Sequence, residues 1–195
     1  MSLDDLQLAE RHLIPLLWLA WIAYWMISAR GVKATRRVES PLSRAAHLVP
    51  LAIAVLLLWP QHLPNHFLGG RFLPATSLAF FTGVALVIAG LGFSIAARRH
   101  LGRNWSAVVT LKRDHELVRS GPYRWVRHPI YTGLLLAFVG SAVARGEWRG
   151  VLAVAIVLAA LWRKLRLEER WMIETFGDDY LRYRATVPAL IPFVI

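Results

Sequence analysis

The sequence predicts an all-α integral membrane protein with about five transmembrane helices, and three observations predict it. Of 195 residues, 56% are hydrophobic and only 18% charged, against roughly 45–50% apolar and 25% charged in soluble domains. Mean hydropathy is +0.45. The apolar residues gather in five stretches, 13–29, about 45–63, 72–97, 129–144 and 150–162. Finally, nineteen of the 23 Lys and Arg fall in the three segments 30–44, 98–127 and 163–184, leaving only Arg11, Arg71, Arg145 and Arg149 elsewhere. With no cysteine, disulfide frameworks, thiolate zinc sites and cysteine nucleophiles are excluded.

The stretch 13–29 carries no charge, follows Asp4, Asp5 and Glu10, and precedes Arg30, Lys33, Arg36 and Arg37. That is a stop-transfer flank rather than a cleaved signal peptide. The second stretch holds His47 and Pro50 and is the weaker span. The third, again uncharged, exceeds the roughly 20 residues that a span needs. In it Ala85, Ala89, Gly92 and Ala96 recur at helical spacing, which predicts a small-residue face against another helix. Gly90 and Gly92 form a lone G-x-G inside this apolar helix, not a dinucleotide loop after a strand. The last two stretches are short and separated by Arg145 to Arg149. They read as a tight hairpin of helices extending beyond their apolar parts, with a re-entrant pair as the alternative.

Nineteen basic residues against four, alternating over five spans, form a positive-inside pattern that puts the N-terminus outside and the C-terminus in the cytoplasm. The net charge of +11 is then explained by topology and attraction to anionic lipid, and nucleic acid is excluded as a partner. His62 and His66 are four apart, but Pro64 between them argues against a helical metal site, and no metal is expected. No G-x-S-x-G supports a Ser/His/Asp nucleophile.

Two cytoplasmic segments hold nearly all residues whose types suggest chemistry. Leu101 to Gly133 turns at Ser120, Gly121 and Pro122 and re-enters the membrane at Pro129, which suits the first turn of a helix. His128 then lies at that helix N-terminus, where free N–H groups favour an anion, with Tyr131 and Gly133 one turn inside. In the second segment, Arg163 to Phe193, the fifth helix continues to Phe176 and stops at Gly177, placing Glu168 and Glu169 just past the interface. Spacing alone also allows helix-surface pairs of Lys164 with Glu168 and Arg166 with Glu169. It equally allows His128 as a simple cap, Arg127 as a contact to lipid phosphate, Tyr123, Trp125 and Tyr131 as belt aromatics, and His115 as a solvated loop residue.

Together these segments resemble the isoprenylcysteine carboxyl methyltransferase family and its bacterial relatives among integral-membrane methyltransferases. Its core, R-H-P-x-Y-x-G followed after a helical hairpin by a paired Glu, stands here as Arg127, His128, Pro129, Tyr131 and Gly133, then Glu168 and Glu169. Leu101, Gly102, Trp105, Ser106, His115, Gly121 to Tyr123, Phe176, Gly177, Tyr180, Tyr183, Val187 and Pro188 match as well. The resemblance implies one membrane-embedded domain over 1–195, with the first three helices in 1–97 and a catalytic core in 98–195. It implies S-adenosylmethionine as cofactor, held at the cytoplasmic side by the last hairpin and the C-terminal segment. It assigns His115, Arg127, His128, Tyr131, Glu168 and Glu169 to cofactor binding and Lys164 and Glu168 to catalysis. The implied partners are the bilayer, in a bacterial inner membrane, and a lipophilic acceptor bearing a carboxylate, amine or thiol. The family commonly has Arg one turn before the paired Glu, where this chain has Lys164, which offers no bidentate fork to a carboxylate. A membrane reductase of the sterol-reductase type using NADPH and a non-catalytic scaffold are the rival classes.

Overall fold

The computed structural model describes residues 3–29, 35–59, 68–102, 105, 110–112 and 117–192. Six helices carry it: α1 (Leu3–Ser28), α2 (Pro41–Leu58), α3 (Ser77–Leu101), α4 (Pro129–Arg145), α5 (Trp148–Phe176) and α6 (Asp178–Thr186). One antiparallel pair, β1 (Thr35–Val38) with β2 (Thr110–Lys112), joins the segments after α1 and after α3. The all-α reading did not contain this pair. Strands of three and four residues are too short for alternation to register in the sequence.

A helix forms within each of the five apolar stretches, and the helix ends follow local chemistry. Ser40 caps α2 by accepting from the Ser43 N–H at 3.2 Å, and Thr76 caps α3 through the Ala79 N–H at 3.2 Å. Pro129 opens α4 as its first residue, with His128 as cap. Gly146, at φ +68°, ends α4 and lets Glu147 begin α5 directly, making the tight hairpin. By length and composition α2 and α3 are long and apolar enough to cross a membrane. Shorter apolar runs occupy His12–Ser28 of α1 and all of α4.

The helix face that α3 uses differs from the expected one. Ala85, Ala89, Gly92 and Ala96 are all exposed, and a Cβ added at Gly92 would meet nothing within 4 Å. The buried face instead runs through Gly83, Val87, Gly90 and Ser94. Gly83 and Gly90 lie seven residues apart and meet Gly140 and Gly133, also seven apart, on α4. A Cβ at Gly90 would stand 2.6 Å from the Ala137 nitrogen, and one at Gly133 2.5 Å from the Gly90 carbonyl. Only glycines permit that backbone approach.

Helix α1 lies across this pair through tryptophans. Trp18 Nε1 donates to Ser141 Oγ at 3.1 Å and Trp21 Nε1 to Ser94 Oγ at 2.8 Å. At its end the buried Arg98 donates to the Ser28 carbonyl and, at 2.9 Å, to that of Gly102, while its guanidinium lies 4.2 Å over Trp105. Helix α2 packs on the other flank, along α5. The main apolar cluster joins Ala54 of α2, Tyr131 and Phe138 of α4, and Val157, Leu161 and Leu165 of α5. Between α1, α2 and α4 a cavity of about 140 Å³ is lined by residues including Trp18, Ile22, Val55, Leu58 and Phe138.

Candidate active site

Helix α5 has 29 residues, roughly 44 Å at 1.5 Å per residue, and so runs well past the 17 residues of α4. Because the hairpin folds α5 back along α4, its later turns stand beside the start of α4. Glu168 and Glu169 are thereby drawn across to α4 rather than held in pairs along their own helix.

Glu169 is the buried member, its side chain 5% exposed. Its Oε1 accepts from Arg127 Nε and Nη2, both at 2.7 Å, and from His128 Nε2 at 3.3 Å. Arg184 Nε of α6 stands 3.6 Å from its Oε2. Glu168 keeps 27% of its side chain exposed. Tyr131 Oη donates to its Oε1 at 2.5 Å, and His128 Nδ1 lies 3.6 Å from its Oε2. The His128 ring stacks on that of Tyr131 with 2° between planes, and Lys164 Nζ sits 5.3 Å from the centre of the Tyr131 ring.

The charges set one another. Burial would raise the Glu169 carboxyl, but hydrogen bonds and charges from His128 and Arg127 outweigh it and hold it at about 2. Glu168 is likewise lowered, against burial, by His128 and Lys164. Burial would lower the His128 imidazole, yet its bonds to Glu168 and Glu169 raise it, with Nδ1 facing one carboxylate and Nε2 the other.

All three nitrogens of the Arg127 guanidinium are engaged within the protein. Besides Glu169, its Nη1 donates to the carbonyls of Arg184, at 3.1 Å, and Val187. The backbone continues the contact: the Arg127 N–H donates to the Pro188 carbonyl at 2.8 Å and the His128 N–H to that of Ala189 at 3.0 Å. Thr132 Oγ1 reaches the Leu190 carbonyl at 2.6 Å. Four successive carbonyls, 187 to 190, are thus strapped to the start of α4. Tyr183 of α6 donates to the Tyr123 carbonyl, and burial pushes its hydroxyl up to about 12.

Arg127, His128, Tyr131, Lys164, Glu168 and Glu169 are therefore brought together, while His115 lies outside the described residues, as do His62 and His66. Sequence reasoning did not single out Arg184 or Thr132. Their signal was weak: Arg184 is one Arg among many, and Thr132 sits inside the R-H-P-x-Y-x-G run at a variable position.

An apolar helical scaffold that gathers Arg, His, Tyr and two Glu at one end of a hairpin defines an integral-membrane protein with a charged site at one end of its helices. Residues 78–179 match the phospholipid methyltransferase family, and the chain belongs to that family. It is 33% identical over 126 residues to the protein-S-isoprenylcysteine O-methyltransferase of Saccharomyces cerevisiae, covering 62% of this chain and 52% of that protein. With the Homo sapiens protein of the same name it is 30% identical over 154 residues, covering 76% and 53%. A solved structure of the eukaryotic intramembrane Ras methyltransferase, isoprenylcysteine carboxyl methyltransferase, matches with a TM-score of 0.50 at 26% identity, over 80% of this chain and 54% of that one. The resemblance to isoprenylcysteine carboxyl methyltransferases is thus borne out. The chain spans about half the length of the curated relatives it matches.

Proposed function

We propose that this protein is a single-domain integral-membrane methyltransferase that uses S-adenosylmethionine to methylate a lipophilic acceptor at the cytoplasmic interface of a bacterial inner membrane. Helices α1 to α5 cross the bilayer with the N-terminus outside, and residues 98–195 form the catalytic core. The observation that carries the reading is the convergence of Arg127, His128, Tyr131, Glu168 and Glu169 at one end of the α4–α5 hairpin. The residues fit such a cofactor by their chemistry. Glu168, partly exposed, offers a carboxylate to an ammonium or to ribose hydroxyls. The Tyr131 ring, stacked on His128, offers an aromatic face to an adenine. Arg127 and Glu169 brace the site by fixing the C-terminal strap, and His115 is a further cofactor contact.

When bound, the cofactor supplies an electrophilic methyl group on sulfur. The protein's part is alignment and exclusion of water, which in-line displacement chiefly requires. Lys164, beside Tyr131 and Glu168, faces the acceptor. The test is calorimetric titration of detergent-purified protein with S-adenosylhomocysteine, with NADPH as comparator. Saturable binding of the first alone is expected. Binding of NADPH alone would select the reductase, and binding of neither would select the scaffold.

A further inference from the structure

Helix α2 brings two ionisable side chains into the protein interior. Glu39, just before the helix cap, is 4% exposed, His47, two turns in, is 1% exposed, and His47 Nε2 stands 3.5 Å from Glu39 Oε1. Ionisable groups at membrane depth are costly and mark functional positions unless pairing alone explains them.

Pairing does not account for all of His47. A carboxylate facing Nε2 places the ring proton there and leaves the lone pair on Nδ1. That Nδ1 is buried with no hydrogen-bond partner among the described residues, a condition that costs about 1–3 kcal/mol. A ligand atom carrying a proton would satisfy it.

The pair also adjoins the site. Arg163 Nη1 donates to the Ser43 carbonyl at 3.1 Å and its Nη2 to Ser43 Oγ at 3.3 Å, fixing α2 to α5 one turn before His47. Lys164, the next residue of α5, leads from that contact into the site, its Nζ 5.3 Å from the centre of the Tyr131 ring. Ala54, on the same face of α2, shares the apolar cluster with Tyr131.

Resting on the methyltransferase reading above, we propose that His47, oriented by Glu39, is the base for an acceptor whose nucleophilic atom sheds a proton, an apolar-tailed amine or thiol rather than a carboxylate. The acceptor's N–H or S–H proton passes to Nδ1, and its lone pair forms the bond to the methyl carbon. The bond from that carbon to the sulfonium breaks, and its electron pair stays on sulfur. His47 then releases the proton to water. A carboxylate acceptor has no proton to lose, so it needs no such base. Glu39 is a positioning residue that fixes the ring.

The experiment compares dodecylamine, dodecanethiol and dodecanoic acid as acceptors for the full chain in detergent, with S-adenosylmethionine, in wild type, His47→Gln and Glu39→Gln. The amine or the thiol is expected to be methylated. His47→Gln should lower kcat by at least about 100-fold, with S-adenosylhomocysteine affinity held within about twofold. Glu39→Gln should lower kcat while leaving the acceptor KM within about twofold. Histidine ¹⁵N spectra should show one ring with unprotonated Nδ1 that Glu39→Gln perturbs, a readout independent of turnover. Failure of the wild type to bind S-adenosylhomocysteine would defeat the methyltransferase reading itself. Bound S-adenosylhomocysteine with turnover of dodecanoic acid alone, or of no probe, overturns the role of His47. So does equal turnover in His47→Gln, a joint fall of turnover and S-adenosylhomocysteine affinity, or a doubly protonated ring.

Discussion

Replacing the two adjacent glutamates separately should have opposite consequences. Glu169 is 5% exposed and neutralises Arg127, itself 9% exposed. Glu169→Gln leaves that guanidinium buried without its counter-charge, and breaking a buried pair from one side costs about 3–5 kcal/mol. The depressed carboxyl agrees: a fall from the usual 4.5 to about 2 corresponds to about 3 kcal/mol. Glu168 is 27% exposed, and its hydrogen bond from Tyr131 can persist to a Gln oxygen, so Glu168→Gln should cost about 1 kcal/mol or less in stability. Its loss should fall on the cofactor. Removing one charge-assisted bond costs about 1.5–3 kcal/mol, or roughly ten- to more than a hundred-fold in affinity. Thermal unfolding and S-adenosylhomocysteine titration in one detergent separate the two, with Glu174→Gln, further along α5, as the control within about twofold. Equal affinity in Glu168→Gln and the control, or a Glu169→Gln protein as stable as Glu168→Gln, would refute this division of labour.

The α3–α4 contact predicts that Gly90→Ala lowers the melting temperature in detergent by many degrees, because its Cβ meets α4 backbone, whereas Gly92→Leu leaves it within about a degree. A tolerated Gly90→Ala would mean the helices stand further apart. The depressed Glu169 carboxyl stabilises the fold fully above its ordinary value of 4.5, and that share is lost as pH falls toward about 2. Acid titration of stability should therefore be steeper in wild type than in Glu169→Gln over that window, and parallel curves would contradict the assignment. A periplasmic reporter fused after Ile195 should be inactive, and robust activity would reverse the orientation.

Much of the site was legible because its parts are local. The R-H-P-x-Y-x-G run fixes its own helix start through Pro129, and the five-residue break at Arg145 to Arg149 forces α5 back beside it. That Glu169 pairs with Arg127 follows from this return, but the roles within the cluster did not. Arg127 read as an anion ligand, and the structure spends its donors on Glu169 and on carbonyls 184 and 187. Backbone carbonyls carry no residue code, so the strap had no sequence signal. The face of α3 was misread for a different reason. In a helix apolar all round, small residues occur on several faces, and Ala85, Ala89, Gly92 and Ala96 looked as suitable as Gly83 and Gly90. Only the matching seven-residue spacing of Gly133 and Gly140 distinguishes the second set. His47 read as a defect in a span, because its partner Glu39 lies before the apolar run.

The glycine seam also divides the molecule's perimeter as a diffusing lipid meets it. Where α3 and α4 touch backbone to backbone there is no gap for a hydrocarbon chain, and opening one would forfeit contact along the whole seam. An apolar chain reaching that seam finds no room between the helices. The neighbouring face of α4, where Phe138, Ser141 and Arg145 line a void of about 140 Å³ shared with α1 and α2, has no such backbone seal, so one helix presents a closed face and a yielding one.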